Sequence, residues 1–296
     1  MARGSTVSLP RIALTTGDPA GIGPEIVAKA AADPAVLAVC EPVIFATATA
    51  TPIRVGEVSA AAGQAAYDTI VAAVSAARRG AVDAIATAPI NKLAFSQAGL
   101  PWKGHTDLLA HLCGVDRVAM LFHAPQLMVV LITVHVPLRE VAAMLTPELV
   151  ADTIRLTAAS LPQFGIARPR LALAGLNPHA GESGLLGTED GAVLAPAVAA
   201  ARAAGIDIAG PFPADTVFVR ASRGEFDCVL ACYHDQGLIP VKLLAFGQAV
   251  NVTIGLPIIR TSVDHGTAFD IAGRGVADAG SMIAAVTLAA QMATRQ

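Results

Sequence analysis

Three histidines in this sequence stand at or just after the carboxyl end of a short apolar run. His135 ends LMVVLITVH, His179 follows LALAGLNP, and His234 ends DCVLACYH. If these runs are neighbouring strands, we expect the imidazoles at one sheet edge, where ligands collect in open α/β sheets. Three neutral imidazoles suit a divalent first-row ion such as Zn²⁺ and leave coordination positions open for a substrate. The alternative is that each histidine only caps its strand through hydrogen bonds. Capping is the commoner role of a single histidine, but it is a weaker explanation for three histidines in the same structural context.

Two carboxylates and a thiol are further residues that could contribute to such a site. Asp235 directly follows His234 in YHDQG, and Asp215 lies in PADTVF. A carboxylate beside a metal site orients a ligand imidazole or acts as a general base, although an aspartate in a loop is equally a turn or cap residue. Cys232 precedes His234 by two positions, and we interpret it as a buried core cysteine rather than a ligand.

A glycine-rich turn, TTGDPAGIGPEIVAKA, spans residues 15–30 between an apolar run and an amphipathic segment. Such turns let backbone N–H groups and a helix N-terminus approach an anion. Its G-x-x-x-G-x-G spacing is not the dinucleotide-binding fingerprint, so the turn alone is a weak signal.

Further polar residues are candidates for binding an anionic substrate. Lys242, Asn251 and Arg260 lie around an apolar strand in KLLAFGQAVNVTIGLPIIR, a segment otherwise poor in charge. Lysine and arginine there suit a phosphate or a carboxylate, with ordinary surface charge as the alternative. His105 and Thr106 form another polar cluster in the loop sequence KGHTD.

Short apolar runs alternate with longer alanine-rich amphipathic segments, for example RIALTT before PEIVAKAAA and RLALAGLN before AVLAPAVAAARAAG. Continuous apolar strands followed by helices are typical of parallel sheets covered on both faces, so the sequence predicts an α/β fold. A chain of 296 residues suits one large domain or two modest ones. The polar loops near residues 102 and 240 predict one domain of 1–102 with 241–296 and a second of 103–240.

Composition excludes several classes of protein. Hydrophobic residues make up 54% and charged residues 15%, which favours a large core and excludes disorder. The net charge of −3 without a basic block argues against nucleic-acid binding, and the apolar runs are too short to span a membrane. The N-terminus has no apolar signal core, and the four cysteines are scattered among apolar runs, so we expect reduced thiols and a cytoplasmic location.

Taken in order, a series of segments resembles the 4-hydroxythreonine-4-phosphate dehydrogenase family of pyridoxal phosphate biosynthesis. They run from residue 15 to about 280 and include TTGDPAGIGPEI, ATAPINK, GHTD, TVHVPL, GLNPHAGESG, PADTVF, YHDQGLIPVK and NVTIGLPIIRTSVDHGTAFDIAG. The resemblance implies two α/β/α domains around a cleft, as in isocitrate and isopropylmalate dehydrogenases. It also implies a homodimer that uses NAD or NADP without a Rossmann fingerprint.

The resemblance also assigns roles to residues. The metal ligands would be His135, His179 and His234, in a site shared between subunits that holds Zn, Mg or Co. The substrate-binding residues would be His105, Thr106, Lys242, Asn251 and Arg260, and the catalytic candidates Asp215, Asp235 and Lys242. The implied reaction is oxidation of 4-phosphooxy-L-threonine at C3, followed by decarboxylation to 3-amino-2-oxopropyl phosphate.

The sequence departs from the family pattern at two places, and it leaves the substrate open. Val134 stands where the family often has threonine, and the region 48–63 is shorter than usual, which affects the expected cofactor side. A related dehydrogenase acting on 4-phospho-D-threonate, 4-phosphoerythronate or a dihydrodiol dicarboxylate is the nearest alternative. The GHTD and IPVK segments favour a phosphorylated substrate. A metal-dependent hydrolase and an inactive binding protein are the remaining hypotheses.

Overall fold

The computed structural model describes residues 8–49 and 51–295, and the chain divides into two compact units. Unit 1 comprises Met1–Asp116 and Leu256–Gln296, and unit 2 comprises Arg117–Gly255. The domain limits predicted from the polar loops, 102/103 and 240/241, lie earlier in the chain than the observed limits, 116/117 and 255/256. The helix that follows residue 102 packs within unit 1, and the strand that follows residue 240 pairs within unit 2.

The secondary-structure elements alternate as the apolar pattern predicts. The strands of the described residues are β1 (Arg11–Thr15), β2 (Glu41–Phe45), β3 (Ala84–Thr87), β4 (Ala119–Ala124), β5 (Leu127–Leu131), β6 (Leu171–Ala174), β7 (Ile208–Phe212), β8 (Cys228–Ala231), β9 (Val250–Ile254) and β10 (Ile259–Ser262). The α-helices are α1 (Gly23–Ala31), α2 (Pro34–Leu37), α3 (Ala60–Arg78), α4 (Lys92–Gln97), α5 (His105–Cys113), α6 (Leu138–Met144), α7 (Pro147–Ser160), α8 (Ala195–Ala203), α9 (Ala214–Ser222), α10 (His234–Ala245) and α11 (Gly280–Ala293).

Unit 1 contains a parallel sheet with the strand order β2–β1–β3–β10. Strand β3 is buried along its whole length, and β1 is buried after its first residue, because α3 and α11 both pack on this sheet. Continuous apolar runs therefore became strands covered on both faces, which confirms the α/β prediction.

The short connection between β2 and α3 folds back onto unit 1. The N–H of Gly56 donates to the carbonyl oxygen of Ala20 at 2.8 Å, and Val55 lies against Gly273. This connection thus packs beside the glycine-rich turn. Gly56 has a φ of +83°, a left-handed conformation that suits glycine.

Unit 2 contains a mixed sheet with the strand order β9–β4–β5–β8–β6–β7. Strand β4 is antiparallel to both β9 and β5, and the pairs from β5 to β7 are parallel. The strands that precede the three histidines are β5, β8 and β6, and they are immediate neighbours. The condition on which the common site of the three histidines depended, that their strands are neighbours, is therefore met.

The four cysteines lie in the interior of the protein. Cys40, Cys113, Cys228 and Cys232 are buried free thiols. Cys232 is fully buried and its Sγ lies 3.4 Å from the carbonyl oxygen of Ala174, as expected of a core cysteine. Among the described residues, none of the helices combines the length and the apolar character that a membrane span requires.

Candidate functional site

Two of the three histidines come together in unit 2. The ring centroids of His135 and His234 are 5.5 Å apart, and both residues line a cavity of about 220 Å³. His234 begins α10, and its Nδ1 lies 2.7 Å from Oδ1 of Asp235. That contact leaves Nε2 of His234 for a ligand, and a carboxylate on the other ring nitrogen is the usual means of orienting a metal-binding imidazole.

His179 is held on a separate turn of unit 2. Residues 179–183 all have positive φ angles, from 42° to 80°, which forms a left-handed turn directly after β6 and Pro178. The His179 side chain is 65% exposed and does not line the cavity of His135 and His234. Within the described part of the chain, no group of three His, Cys, Asp or Glu residues has a metal-binding arrangement. The chain therefore brings two imidazoles together and presents the third to solvent.

A buried carboxylate, Asp190, anchors the segment that carries His179. Asp190 is 2% exposed, and its oxygens accept the backbone N–H of Leu176 at 2.8 Å and that of Asn177 at 3.1 Å. The amide Nδ2 of Asn177 also donates to Asp190 at 2.9 Å. No local pattern in the sequence indicates this role of Asp190, because only the folded chain brings it beside a segment thirteen positions earlier.

Two of the three catalytic candidates lie beside His234, and the third does not. Asp235 and Lys242 both lie on α10 and line a second cavity of about 580 Å³ together with His234. Asp215 is exposed in the first turn of α9 and lines neither of these two cavities. A carboxylate in a first helical turn is stabilised by the helix dipole, which was the alternative interpretation of Asp215.

Among the substrate-binding candidates of unit 1, Arg260 is the most buried. It is 2% exposed on β10, and its Nη2 donates to Oγ1 of Thr87 at 2.7 Å. Burial lowers the pKa of its guanidinium to about 9, so the group remains charged at neutral pH. The surface-charge alternative is thus wrong for Arg260. Its guanidinium contacts Thr87, the last residue of β3, and a buried cation at this carboxyl end of a strand suits an anionic ligand.

His105 and Thr106 begin α5 in the same unit. The Nε2 atom of His105 is buried and has no hydrogen-bond partner among the described residues. Burial lowers the pKa of His105 well below its ordinary value, and the positive charge of Arg260 lowers it further. The ring is therefore neutral, with one nitrogen available to a ligand.

Two more buried polar atoms without a partner among the described residues belong to Asp18 and Asn251. In unit 1, Oδ1 of Asp18 accepts the N–H of Ala20 at 2.9 Å, whereas Oδ2 has no such contact, and burial raises the pKa of this carboxyl. In unit 2, the free acceptor is Oδ1 of Asn251 on β9. Asn251 was predicted from the sequence, whereas Asp18 was not, because its glycine-rich surroundings indicated only a backbone site.

Acidification is expected to destabilise the protein through His105. The folded state keeps this ring neutral, so below the ordinary pKa of 6.5 the unfolded chain binds a proton that the folded chain does not. The contribution of His105 to stability is therefore complete above that pH and is lost below it, by up to about 1.4 kcal/mol per pH unit. Urea unfolding from about pH 8 to pH 5 should show a smaller loss for His105→Gln than for the wild type. Identical pH profiles for the two proteins would contradict the neutral assignment.

Comparisons with known proteins match this chain to the same family over nearly its whole length. The family model described as pyridoxal phosphate biosynthetic protein PdxA matches residues 19–289. A 4-hydroxythreonine-4-phosphate dehydrogenase from Desulforapulum autotrophicum is 44% identical, covering 98% of this chain and 97% of the relative. A D-threonate 4-phosphate dehydrogenase from Cupriavidus necator is 42% identical, covering 97% and 98%. The crystal structure of 4-hydroxythreonine-4-phosphate dehydrogenase from Klebsiella pneumoniae has a TM-score of 0.90 at 42% identity, covering 98% of this chain and 99% of that one.

Proposed function

Because this chain belongs to the PdxA family of pyridoxal phosphate biosynthetic proteins, we propose that it oxidises 4-phosphooxy-L-threonine at C3 with NAD or NADP. Loss of carbon dioxide from the resulting 3-oxo acid would then yield 3-amino-2-oxopropyl phosphate. The observation that carries this proposal is the match to dehydrogenases over almost the full length of both chains. The pairing of His135 with His234 supports the metal-dependent part of the proposal.

The side chains fit a divalent ion held by His135, His234 and a third imidazole. A catalytic zinc site commonly has three protein ligands and an open position, and imidazole suits Zn or Co better than Mg. The contact between Asp235 and Nδ1 of His234 orients one ligand. When bound, the ion would act as a Lewis acid that lowers the pKa of the substrate hydroxyl. We propose that His179 supplies the third imidazole to the site of a partner subunit.

An exposed apolar surface supports the homodimer that this arrangement needs. Ile239 and Leu243 on α10, the helix that His234 begins, and Phe246 directly after this helix are 66%, 83% and 82% exposed. Large apolar side chains that lie together on a surface commonly mark an interface. In a twofold-symmetric dimer each subunit would contribute the same surface, so each His179 would serve the other subunit.

The remaining polar residues have roles that follow from their chemistry. Asp235 and Lys242 are better placed than Asp215 to accept or relay the hydroxyl proton, since they line a cavity with His234. Arg260 and Lys242 would neutralise the phosphate and carboxylate groups of the substrate. His105, Thr106 and Asn251 would hydrogen-bond its remaining oxygens and its amino group, and two of these three have a buried atom available for this.

A second candidate substrate is 4-phospho-D-threonate. The relative from Cupriavidus necator that is named for this activity is 42% identical, close to the 44% of the first dehydrogenase. The two substrates share the phosphate and the oxidisable hydroxyl, so the same residues would serve either one. For both reactions we propose a cytoplasmic location, which the buried free thiols support.

Steady-state assays are expected to show reduced nicotinamide only with a phosphorylated hydroxy acid and a divalent ion. The two phosphorylated substrates should be compared with NAD and with NADP, in metal-free protein supplied with Zn, Co or Mg. We expect the highest kcat/KM with 4-phosphooxy-L-threonine, and a loss of turnover after chelation that Zn or Co restores. A higher value with 4-phospho-D-threonate would select the second candidate. Absence of cofactor reduction with both substrates would contradict the proposal and favour the hydrolase or binding hypotheses.

A further inference from the structure

A chain of hydrogen bonds in unit 2 joins the three segments that carry the histidines. Oγ1 of Thr133, two residues before His135, donates to the carbonyl oxygen of Cys232 at 2.7 Å. The N–H of Cys232, two residues before His234, donates to Oε1 of Gln236 at 2.7 Å. Nε2 of Gln236 donates in turn to the carbonyl oxygen of Gly175 at 2.7 Å, at the end of β6 before His179. Gln236 therefore connects the ends of β8 and β6.

The chemistry of these contacts requires an amide. Oε1 faces a backbone donor and Nε2 faces a backbone acceptor, so the orientation of the amide group is set by its partners. Glutamine and asparagine side chains carry a donor and an acceptor on one planar amide group at every pH at which the protein is folded. A carboxylate could keep the contact to Cys232 but would place an oxygen against the carbonyl of Gly175.

A purely local role does not account for both contacts. A helix cap needs only an acceptor for the N–H groups of the first turn, and Cys232 lies before α10 begins at His234. The second contact joins Gln236 to the carbonyl oxygen of Gly175, which lies outside the helix at the end of β6. Gln236 is also half-buried and is not among the side chains lining the two cavities of His234, so a direct contact with substrate is not its evident role.

The connected segments have conformations that need support from their surroundings. His135 has a φ of 38°, and His179 begins the run of positive φ angles from 179 to 183. Non-glycine residues in this region are strained and persist where neighbouring contacts hold them. Asp190 anchors the His179 segment at Leu176 and Asn177, whereas Gln236 is the side chain that ties Gly175 of that segment to the segment of His234.

We propose that Gln236 is a positioning residue whose amide sets the spacing between the His179 segment and the pair of His135 and His234. This inference rests on the proposed function, because its consequence is the affinity of the three histidines for a divalent ion. In a symmetric dimer, a shift of the His179 segment would displace a ligand from the partner subunit's site. Gln236 acts through the ligands and touches neither ion nor substrate.

Two substitutions separate the contacts of Gln236. Gln236→Glu keeps the size and the acceptor for Cys232 but loses the donor to Gly175, and Gln236→Met loses both. Gln291→Glu and Gln291→Met are the matched controls, since Gln291 is an exposed residue of α11 in unit 1. Co²⁺ dissociation constants of the metal-free proteins should be measured by chelator competition, together with the visible spectrum of the Co²⁺ form, kcat and KM at saturating metal, and thermal unfolding of the metal-free protein.

We expect Gln236→Glu to weaken Co²⁺ binding by about 10- to 100-fold, the usual effect of losing a residue that orients metal ligands. The visible spectrum should shift, kcat should fall more than KM rises, and the unfolding temperature of the metal-free protein should stay close to that of the wild type. Gln291 variants should match the wild type in all four measurements.

Wild-type Co²⁺ affinity in both Gln236 variants would overturn the inference. Loss of the folded state in both variants would also overturn it, because the contacts would then serve the fold as a whole. The proposed function fails in a different way: the wild type itself would not bind Co²⁺, or His135→Ala and His234→Ala would bind it equally well. The two failures are therefore distinguishable in one set of titrations.

Discussion

Substitution of His179 by alanine is expected to lower kcat by about 10³-fold or more, because a Lewis acid contributes several kcal/mol to the transition state. The fold should survive, since the side chain is 65% exposed and Glu182, which lies 3.7 Å from its Nδ1, is 55% exposed. Exposed contacts of this kind contribute little to stability. Steady-state rates, metal content and thermal unfolding would test the three parts of the expectation.

His179→Asn is the control for backbone strain at this position. The residue has a φ of 54°, and asparagine adopts positive φ more readily than alanine does. Both variants should lose turnover, whereas only the alanine variant should also have a lower free energy of unfolding, because of its backbone conformation at this position. Full activity in either variant would contradict the assignment of His179 as a metal ligand.

Mixed dimers would show which subunit supplies His179. If the site combines His135 and His234 of one subunit with His179 of the other, a dimer of one His179→Ala and one His135→Ala subunit has one complete site. Random mixing of the two inactive variants should then restore about a quarter of wild-type activity, as expected for a twofold dimer. No recovery in purified mixed dimers would show that all three histidines act within one chain.

Substitution of Arg260 by methionine is expected to lower kcat/KM by about 10²- to 10⁴-fold, because charge-assisted hydrogen bonds to an anion contribute about 1.5–3 kcal/mol each. The same change should leave stability similar or higher, since replacing a buried charge by an apolar side chain of similar volume is often neutral or favourable. Thr87 keeps a hydrogen bond to Ser262, with 3.0 Å between their hydroxyl oxygens, so the variant retains a partner for this group. Opposite effects on activity and stability are characteristic of a binding residue in the core.

Two further variants sharpen the test of Arg260. Arg260→Lys keeps the charge but lacks the planar fork of donors, so we expect an intermediate kcat/KM. Arg54→Met is the matched control, because Arg54 is 81% exposed and forms only a surface ion pair with Glu57. Steady-state kinetics and urea unfolding should be measured together. Unchanged kcat/KM in Arg260→Met would remove Arg260 from the substrate-binding set.

Local patterns in the sequence predicted the buried strands, the candidate site residues and the family. Continuous apolar runs such as LALA and CVLA became strands buried on both faces, because hydrophobic burial acts on short segments. The sequence placed His135, His179 and His234 after such runs but left open whether the strands are neighbours, which the strand order β5–β8–β6 established. The series of motifs predicted the family that the comparisons confirm.

Other features depend on contacts between residues far apart in the chain. Asp190 and Gln236 carry no local signal, and their roles arise only when β6 and β8 are paired. The exposure of His179 follows from the left-handed turn after β6, which the apolar pattern does not encode. Periodicity reports which faces of a segment are buried, whereas the partners of a buried polar group are set by strand pairing. The sequence by itself therefore determined the fold class, the family and most site candidates, and only the tertiary structure decided which of them meet and which residues hold them.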